Sequence, residues 1–135
     1  MPKFTYSLPL RWSDQDSYGH INNSLYLTYF EEARTRMVTE MLPADEAEQR
    51  RRAFVVQQSL IDYKAPLDYR DEPVSVDVWV TRCRGARLEL ACAIRDSGVT
   101  FAEAAIKMAA YDLEAGTPRR MTDEELGFLA RYAIS

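Results

Sequence analysis

The sequence has few of the features that mark a secreted, membrane-spanning or metal-binding protein. Two cysteines in 135 residues are too few for a disulfide framework, and no apolar run reaches the roughly 20 residues that cross a bilayer. The first residues lack the long apolar stretch of a secretory signal. One histidine and two separated cysteines, Cys83 and Cys92, do not supply a zinc site. We therefore expect a cytoplasmic protein with no metal and two unreactive thiols.

The sequence also has no excess of positive charge. Lysine and arginine total 17 against 21 acidic residues, a formal net charge of −4. Proteins that bind nucleic acids usually carry a basic surface that neutralises phosphates, so this balance argues against that class. It leaves room for a small anionic ligand. Hydrophobic residues make up 47% of the chain, which is typical of a folded domain and excludes intrinsic disorder.

Alternating apolar residues predict one strand at the start of the chain and four in its second part. The clearest alternation places valines at every second position: Val74, Val76, Val78 and Val80. Similar patterns predict strands over residues 54–63, 88–94 and 100–111. Residues 4–12 are rich in strand formers, and Pro9 predicts that this strand lies at a sheet edge because proline has no N–H to donate.

A long helix is predicted after the polar loop of residues 13–20. Apolar side chains recur at helical spacing in one stripe: Tyr26, Tyr29, Phe30, Ala33, Met37 and Met41. Charged side chains are expected on the opposite, solvated face: Glu31, Glu32, Arg34, Arg36 and Glu40. Asn22, Asn23 and Ser24 are good residues for an N-cap, and Pro43 ends the helix.

The order of these elements predicts an α+β fold. One strand is followed by a long helix, four consecutive strands and a short helix opened by a capping box of Thr122 and Glu125. Strands joined by short turns are antiparallel, and one long helix can cover a face of their sheet. We therefore predict a single domain over residues 1–135, in which a five-stranded antiparallel sheet packs on the long helix.

Residues 14–23 carry the side chains best suited to chemistry. They include two carboxylates, Asp14 and Asp16, and the single histidine, His20, and they run directly into the helix N-terminus. Free N–H groups at such a terminus favour negative charge and can stabilise the oxyanion that develops on a substrate carbonyl. A nearby carboxylate can attack that carbonyl or activate water. The same pattern is also typical of a structural turn or cap.

Two sequence blocks carry a family resemblance. The first is RWSDQDSYGHINN at residues 11–23, followed by five further matches: Tyr26, Tyr29, Glu32, Ala33 and Arg34. The second is DYKAPL at residues 62–67, followed by DEP at residues 71–73 and the valine-rich strand. Together they resemble hotdog-fold acyl-CoA thioesterases of the 4-hydroxybenzoyl-CoA thioesterase type, over roughly residues 4–111. The resemblance implies a hotdog fold, a long helix wrapped by a curved five-stranded antiparallel sheet, which agrees with the predicted element order.

The resemblance implies roles for the residues that match the family pattern. Asp16, the second carboxylate of the Asp-x-Asp pair, would be the nucleophile or the general base, and Asp14 would be structural. The backbone N–H near Asn23 would polarise the thioester carbonyl. His20 and Asn22 match a His-x-Asn pattern of the long-chain branches, which implies that His20 supports catalysis and that Asn22 contacts the substrate.

The resemblance also implies contacts with the acyl group and with a second protomer. Tyr18 stands where the plant acyl-carrier-protein branch has asparagine, so a plant-like Asp-Asn-His mechanism is not expected, and we place Tyr18 in substrate binding instead. Tyr26, in the first helical turn, would line an acyl pocket. Because the family builds its site between two protomers, Gln58, with its neighbours Gln57 and Ser59, would face the Asp16 loop of the partner.

Several arginines are candidates for binding the phosphates of CoA, because guanidinium groups suit phosphate. Three of them surround Gly85: Arg82, Arg84 and Arg87. Their position at the solvated end of a strand explains the presence of these arginines equally well. Arg119 and Arg120 are a second candidate. The three arginines of residues 50–52 fit a solvated helix face better.

The sequence thus predicts a cofactor-free homodimer or homotetramer that hydrolyses a fatty or aromatic acyl-CoA to the free acid and CoA. Three alternatives stay open: a thioesterase acting on acyl carrier protein, a non-catalytic module that binds acyl-CoA or acyl carrier protein, and an acyl-CoA dehydratase on the same scaffold. The spacing of Asp16 and His20 matches the thioesterase pattern and disfavours the dehydratase. Turnover is needed to exclude the binding module, because a fold alone does not establish chemistry.

Overall fold

Four long strands and one short strand form an antiparallel sheet in the computed structural model, which describes residues 3–133. The strands are β1 (Phe4–Leu8), β2 (Ala53–Tyr63), β3 (Val74–Arg84), β4 (Arg87–Asp96) and β5 (Val99–Asp112). Their order across the sheet is β1-β3-β4-β5-β2, and a two-residue strand, β6 (Thr117–Pro118), pairs with β5. The prediction of an edge position for the first strand is confirmed, and β2 forms the opposite edge.

Strand β1 is shorter than the sequence pattern predicts. It ends at Leu8 rather than near Trp12. Pro9 follows directly and cannot donate to β3, and the chain then turns away through a 3-10 turn at Trp12–Asp14. This turn leads the chain into the loop of residues 13–20.

The long helix begins in a 3-10 turn at Asn23–Leu25 and continues as α1 (Tyr26–Thr39). Its apolar stripe is buried as predicted, with Phe30 1% exposed and both Ala33 and Met37 fully buried. The stripe packs on β1, β3 and β4, where it meets inward-facing side chains such as Val76 and Leu90. A helix wrapped by an antiparallel sheet is the arrangement expected of a hotdog fold.

The predicted solvated face of α1 is wrong at Arg34. This side chain is 9% exposed and lines cavities between α1 and β2. Glu31 approaches it at 3.4 Å. Arg36, on the same predicted face, lies over the ring of Tyr6, 5.0 Å from its centre.

Two shorter helices complete the fold: α2 (Glu46–Arg51) and α3 (Asp123–Ala130). The predicted capping box of Thr122 and Glu125 is present at the start of α3. Arg119 forms a buried ion pair with Glu125 at 2.7 Å and also donates to the carbonyl of Ala53 at 3.3 Å. Arg119 therefore ties α3 to the sheet and is not free to bind phosphate. Within residues 3–133, no helix is long and apolar enough to cross a membrane.

Candidate active site

The loop that precedes α1 holds Asp16 by backbone hydrogen bonds. Its Oδ1 accepts from the N–H of Tyr18 at 2.9 Å and from the N–H of His20 at 3.3 Å. The backbone N–H of Asp16 donates in return to the His20 carbonyl at 2.8 Å. Gly19 closes this turn with a φ of +79°, a conformation that favours glycine. The loop thus occupies Oδ1, while Oδ2 has no hydrogen-bond donor among the described residues.

Asp14 anchors the same loop to the first turn of α1. Its carboxylate is 4% exposed, accepts a 2.7 Å hydrogen bond from the Tyr29 hydroxyl and lies 3.1 Å from the guanidinium of Arg11. Burial and the bond to Asp14 raise the pKa of Tyr29, so the phenol remains a donor over the whole neutral range. These contacts agree with the structural role expected for Asp14.

A free backbone donor lies at the start of the helix. The Asn22 side chain accepts from the N–H of Ser24 at 2.9 Å, and the Asn22 carbonyl accepts from Leu25 at 3.0 Å. The Asn23 carbonyl accepts from the N–H of Tyr26. The Asn23 N–H has no acceptor within residues 3–133, so it is available to a ligand at a helix N-terminus, where negative charge is favoured.

Asp16 and Asn23 line one open cleft of about 330 Å³. Its wall is formed by the loop, the helix start and the segment after β2: Asp16, His20, Ile21, Asn23, Tyr26, Tyr63, Lys64, Ala65 and Pro66. The structure therefore brings four of the residues predicted from sequence to one place. The groups in the cleft that are suited to chemistry are the Asp16 carboxylate and the free Asn23 N–H, and in the described residues no three His, Cys, Asp or Glu side chains are arranged to hold a metal ion.

The segment from Tyr63 to Pro66 is the part of the cleft to which no role was assigned from the sequence. The Tyr63 hydroxyl donates to the Asn23 carbonyl at 3.2 Å, and its ring lies 5.2 Å from that of Tyr26. The residues belong to the second block of the family resemblance, DYKAPL, so a signal for their importance was present. The role of this block in the cleft was not predicted because it depends on a long-range contact. Tyr63 reaches Asn23, 40 residues earlier in the chain, only when β2 lies beside the start of the helix.

The His20 side chain contacts Asp68 and makes no hydrogen bond to Asp16 among the described residues. Its Nε2 lies 3.5 Å from a carboxylate oxygen of Asp68, and both side chains are substantially exposed. An isolated bridge between the backbones of these two residues fixes the same approach. His20 therefore acts on Asp16 through its backbone, while its side chain borders the cleft beside an exposed carboxylate.

Other candidate residues lie near the cleft but do not line it. Tyr18 is 83% exposed at the outer side of the loop, and the Asn22 side chain is engaged in capping the helix. Gln58 is exposed on the edge strand β2, opposite Lys107. Ser59 pairs with the buried Ile106, so successive residues of β2 place Gln58 on the outer face of the sheet and Ser59 on the inner face.

The arginines around Gly85 lie at the far end of the sheet from the cleft. All three are exposed and have no carboxylate partner in the described part of the chain: Arg82, Arg84 and Arg87. Arg87 pairs with Ala109, whereas Tyr63 beside the cleft pairs with Ala102. Seven strand positions separate these two points, about 24 Å at 3.4 Å per residue. Within one chain these arginines therefore do not meet the Asp16 cleft.

Comparison with known proteins decides the family. Residues 10–129 match the Thioesterase-like superfamily. The chain belongs to this superfamily. It is 28% identical over 112 residues to the acyl-CoA thioesterase YbgC of Haemophilus influenzae, covering 80% of this chain and 82% of that protein. The thioesterase assignment and the predicted identity of this protein as a thioester hydrolase are thereby confirmed.

Solved structures confirm the fold of this thioesterase. A predicted thioesterase from Bacillus stearothermophilus superposes with a TM-score of 0.87 at 24% identity, covering 98% of both chains. A Staphylococcus aureus protein solved in complex with CoA gives a TM-score of 0.85 at 15% identity, covering 96% of this chain and 83% of that one. The α+β hotdog fold, with its curled antiparallel sheet around a long helix, is the one predicted from sequence.

Proposed function

We propose that this thioesterase hydrolyses the thioester of a fatty or aromatic acyl-CoA to the free acid and CoA. The observation that carries the proposal is the meeting of the Asp16 carboxylate and the free Asn23 N–H in one cleft. Support for the substrate comes from YbgC, named as an acyl-CoA thioesterase, and from the structural neighbour solved with CoA. The two free cysteines, Cys83 and Cys92, fit the reducing cytoplasm that we propose as its compartment.

In the proposed reaction, the Asn23 N–H binds the thioester carbonyl oxygen and stabilises the negative charge that forms on it. The free Oδ2 of Asp16 then acts in one of two ways. As a nucleophile it attacks the carbonyl carbon, CoA leaves as its thiolate, and water hydrolyses the resulting anhydride. As a general base it takes a proton from water, hydroxide adds to the carbonyl carbon, and the proton passes to the departing thiolate. Neither route requires a cofactor.

A second copy of the chain would complete this site. The free edge of β2 exposes apolar side chains, with Leu60 62% and Val56 45% exposed, and exposed edges readily pair with another strand. We propose a homodimer or homotetramer in which β2 joins two sheets and Gln58 faces the partner's loop. The arginine hairpin of residues 82–87 would then meet the CoA phosphates of a site to which both copies contribute.

The experiment that tests the function is release of free thiol from short, long and aromatic acyl-CoAs. We expect turnover of at least one class by the purified protein. Tight binding of acyl-CoA without thiol release would contradict the proposal in favour of a binding module. Hydrolysis of acyl carrier protein thioesters alone, or hydration of an enoyl-CoA without thiol release, would instead select one of the two enzymatic alternatives.

A further inference from the structure

One tyrosine of the Asp16 cleft has a hydroxyl group that the proposed reaction leaves unused. Tyr26 lines the cleft together with Asp16 and Asn23. The residue is 3% exposed, and its O–H donates to no acceptor within residues 3–133. A buried donor without an acceptor costs free energy, so a ligand that brings an acceptor oxygen into the cleft would satisfy this hydroxyl.

The surroundings of Tyr26 place its hydroxyl end at the cleft. Side chains of a helix point back toward its N-terminus, so Tyr26 reaches toward the turn that contains Asn23. The hydroxyl oxygen accepts a hydrogen bond from the backbone of Leu67, the residue that follows Pro66 of the cleft wall. The Leu67 carbonyl accepts from the N–H of Ile21 at 2.7 Å, and Ile21 is also a wall residue. The hydroxyl therefore lies where the loop, the helix start and the segment after β2 meet.

The two neighbouring tyrosines already use their O–H groups within the protein. The Tyr29 hydroxyl donates to Asp14 at 2.7 Å. The Tyr63 hydroxyl donates to the Asn23 carbonyl at 3.2 Å. The Tyr26 ring packs against both, 6.2 Å from the ring of Tyr29 and 5.2 Å from that of Tyr63. Because a hydroxyl that accepts one hydrogen bond keeps its own hydrogen to donate, Tyr26 offers the cleft a donor on a ring fixed by packing.

The Tyr26 phenol keeps its proton at neutral pH. Burial raises its pKa above the ordinary value of 10.0, and the Asp16 carboxylate adds to this, while the hydrogen bond from the Leu67 backbone opposes it. A phenol that keeps its proton can donate to a developing oxyanion but does not act as a base. This protonation state complements Asp16, which supplies the nucleophile or the base of the proposed reaction.

We propose that the Tyr26 hydroxyl is a second donor to the thioester carbonyl oxygen, beside the Asn23 N–H. The hydrogen stays on Tyr26 throughout. Its hydrogen bond strengthens as negative charge forms on the oxygen, and it weakens when the C=O bond re-forms and the CoA thiolate leaves. This inference rests on the proposed thioesterase function. It gives Tyr26 a catalytic role in addition to the lining of an acyl pocket that the family resemblance implies.

The test compares the wild type with Tyr26→Phe, which removes the hydroxyl and keeps the ring. We expect kcat for thiol release to fall about 10²–10³-fold, the loss typical of one oxyanion donor, with little change in KM and an unchanged circular dichroism spectrum. Tyr132→Phe is the matched control, because the Tyr132 ring packs on Phe4 and Phe128 at the end of α3, outside the cleft. This control should retain wild-type turnover.

Two unreactive analogues separate contact with the carbonyl oxygen from a structural role. In the first, a methylene replaces the thioester sulfur of the acyl-CoA, so the carbonyl oxygen remains. The second is the matching S-alkyl-CoA thioether, which lacks that oxygen. By calorimetry, we expect Tyr26→Phe to bind the ketone about three- to tenfold more weakly than the wild type does and to bind the thioether equally well. Equal weakening of both ligands would mean that Tyr26 only shapes the cleft, and it would contradict the proposal.

The outcomes distinguish this inference from the proposed function. Thiol release by the wild type together with an unchanged kcat in folded Tyr26→Phe overturns the role of Tyr26 and leaves the proposed function intact. No thiol release by the wild type from any acyl-CoA overturns the proposed function and this inference with it. If Tyr26→Phe does not fold, Tyr26→Met takes its place in both measurements. A wild type that binds the ketone no more tightly than the thioether contradicts the inference without any variant.

Discussion

At the scale of the residue, the two oxygens of Asp16 have different surroundings. Oδ1 accepts two backbone N–H groups from its own loop, which fixes the plane of the carboxylate, while Oδ2 is left for the cleft. Both donors belong to the backbone, so substitutions of Tyr18 or His20 keep the hydrogen bonds as long as the loop keeps its shape. The position of the carboxylate therefore depends on the turn at Gly19 more than on the neighbouring side chains.

This arrangement predicts a modest effect for His20→Gln. The residue 20 N–H continues to hold Asp16, and the side chain loses only its 3.5 Å contact with Asp68. We expect kcat/KM for acyl-CoA hydrolysis to fall by no more than about tenfold, the usual range for one polar contact. Steady-state kinetics of thiol release measures this. A loss as large as that of an Asp16 variant would show that the His20 side chain takes part in the chemistry.

At the scale of the element, the start of α1 combines a structural cap with a proposed catalytic donor. The Asn22 side chain satisfies the Ser24 N–H, and this leaves the preceding N–H, that of Asn23, for the substrate. The Tyr63 hydroxyl holds the Asn23 carbonyl from the other side. The Asn22 side chain and the Tyr63 hydroxyl thus both hold the peptide unit between Asn23 and Ser24.

Asn22→Ala removes the cap, and we expect it to lower the free energy of unfolding by about 1 kcal/mol. Asn22→Asp retains an acceptor at the same position and should keep most of that stability. The matched control is Asn23→Ala, because the Asn23 side chain has no hydrogen bond in the described residues. Urea unfolding followed by circular dichroism measures all three. Equal stability of Asn22→Ala and the wild type would contradict the capping role.

The junction of α3 with the sheet predicts a pH dependence of stability. Burial alone would raise the pKa of Glu125, but hydrogen bonds from Arg119 and the Thr122 backbone lower it below its ordinary value of 4.5. As the pH falls below that value, the unfolded chain takes up the proton first, so the free energy of unfolding decreases. The contribution of the pair is fully present at neutral pH and is lost in acid.

Urea midpoints measured from about pH 6 to about pH 3.5 test this dependence. We expect Glu125→Gln to be less stable than the wild type at neutral pH and to lose less stability on acidification. Glu124→Gln, the same change at an exposed neighbouring position, should follow the wild-type curve. Parallel curves for Glu125→Gln and the wild type would contradict the account.

The sequence predicted the elements well because their signals are local. The valine alternation of β3, the apolar stripe of α1 and the Thr122 capping box each lie within a short stretch of chain. Arg34 was placed wrongly because helical spacing alone does not show which face of α1 lies beside β2 in the folded chain. The contact between Tyr63 and Asn23 was missed for a related reason, since it forms only when β2 is paired in register with β5.

At the scale of the whole molecule, the sheet has a free edge at β2, beside the candidate site. The proposed phosphate-binding arginines lie about 24 Å from the cleft of the same chain, at 3.4 Å per strand residue. A second copy paired along β2 would extend the sheet and could bring the two regions together. Oligomerisation and activity should then depend on the same surface.

Val56→Lys is expected to weaken this pairing, because charge on an edge strand opposes strand addition. We expect the wild type to have a solution mass of two or four times 15.5 kDa, and the variant to shift toward one chain with a parallel loss of thiol release. Val99→Lys is the matched control, since Val99 is equally exposed, at 45%, but lies in the β4–β5 hairpin. Light scattering coupled to size exclusion gives the masses. A Val56→Lys protein with unchanged mass and activity would contradict the proposed interface.

The most direct test of the central claim compares thiol release by the wild type, Asp16→Asn and Asp123→Asn. The account predicts that Asp16→Asn lowers kcat by about 10²–10⁴-fold with an unchanged circular dichroism spectrum, because the loop keeps its acceptor while the attacking or basic carboxylate is lost. Asp123→Asn makes the same change at an exposed position in α3 and should retain wild-type turnover. Wild-type turnover by folded Asp16→Asn would contradict the account and remove Asp16 from the mechanism.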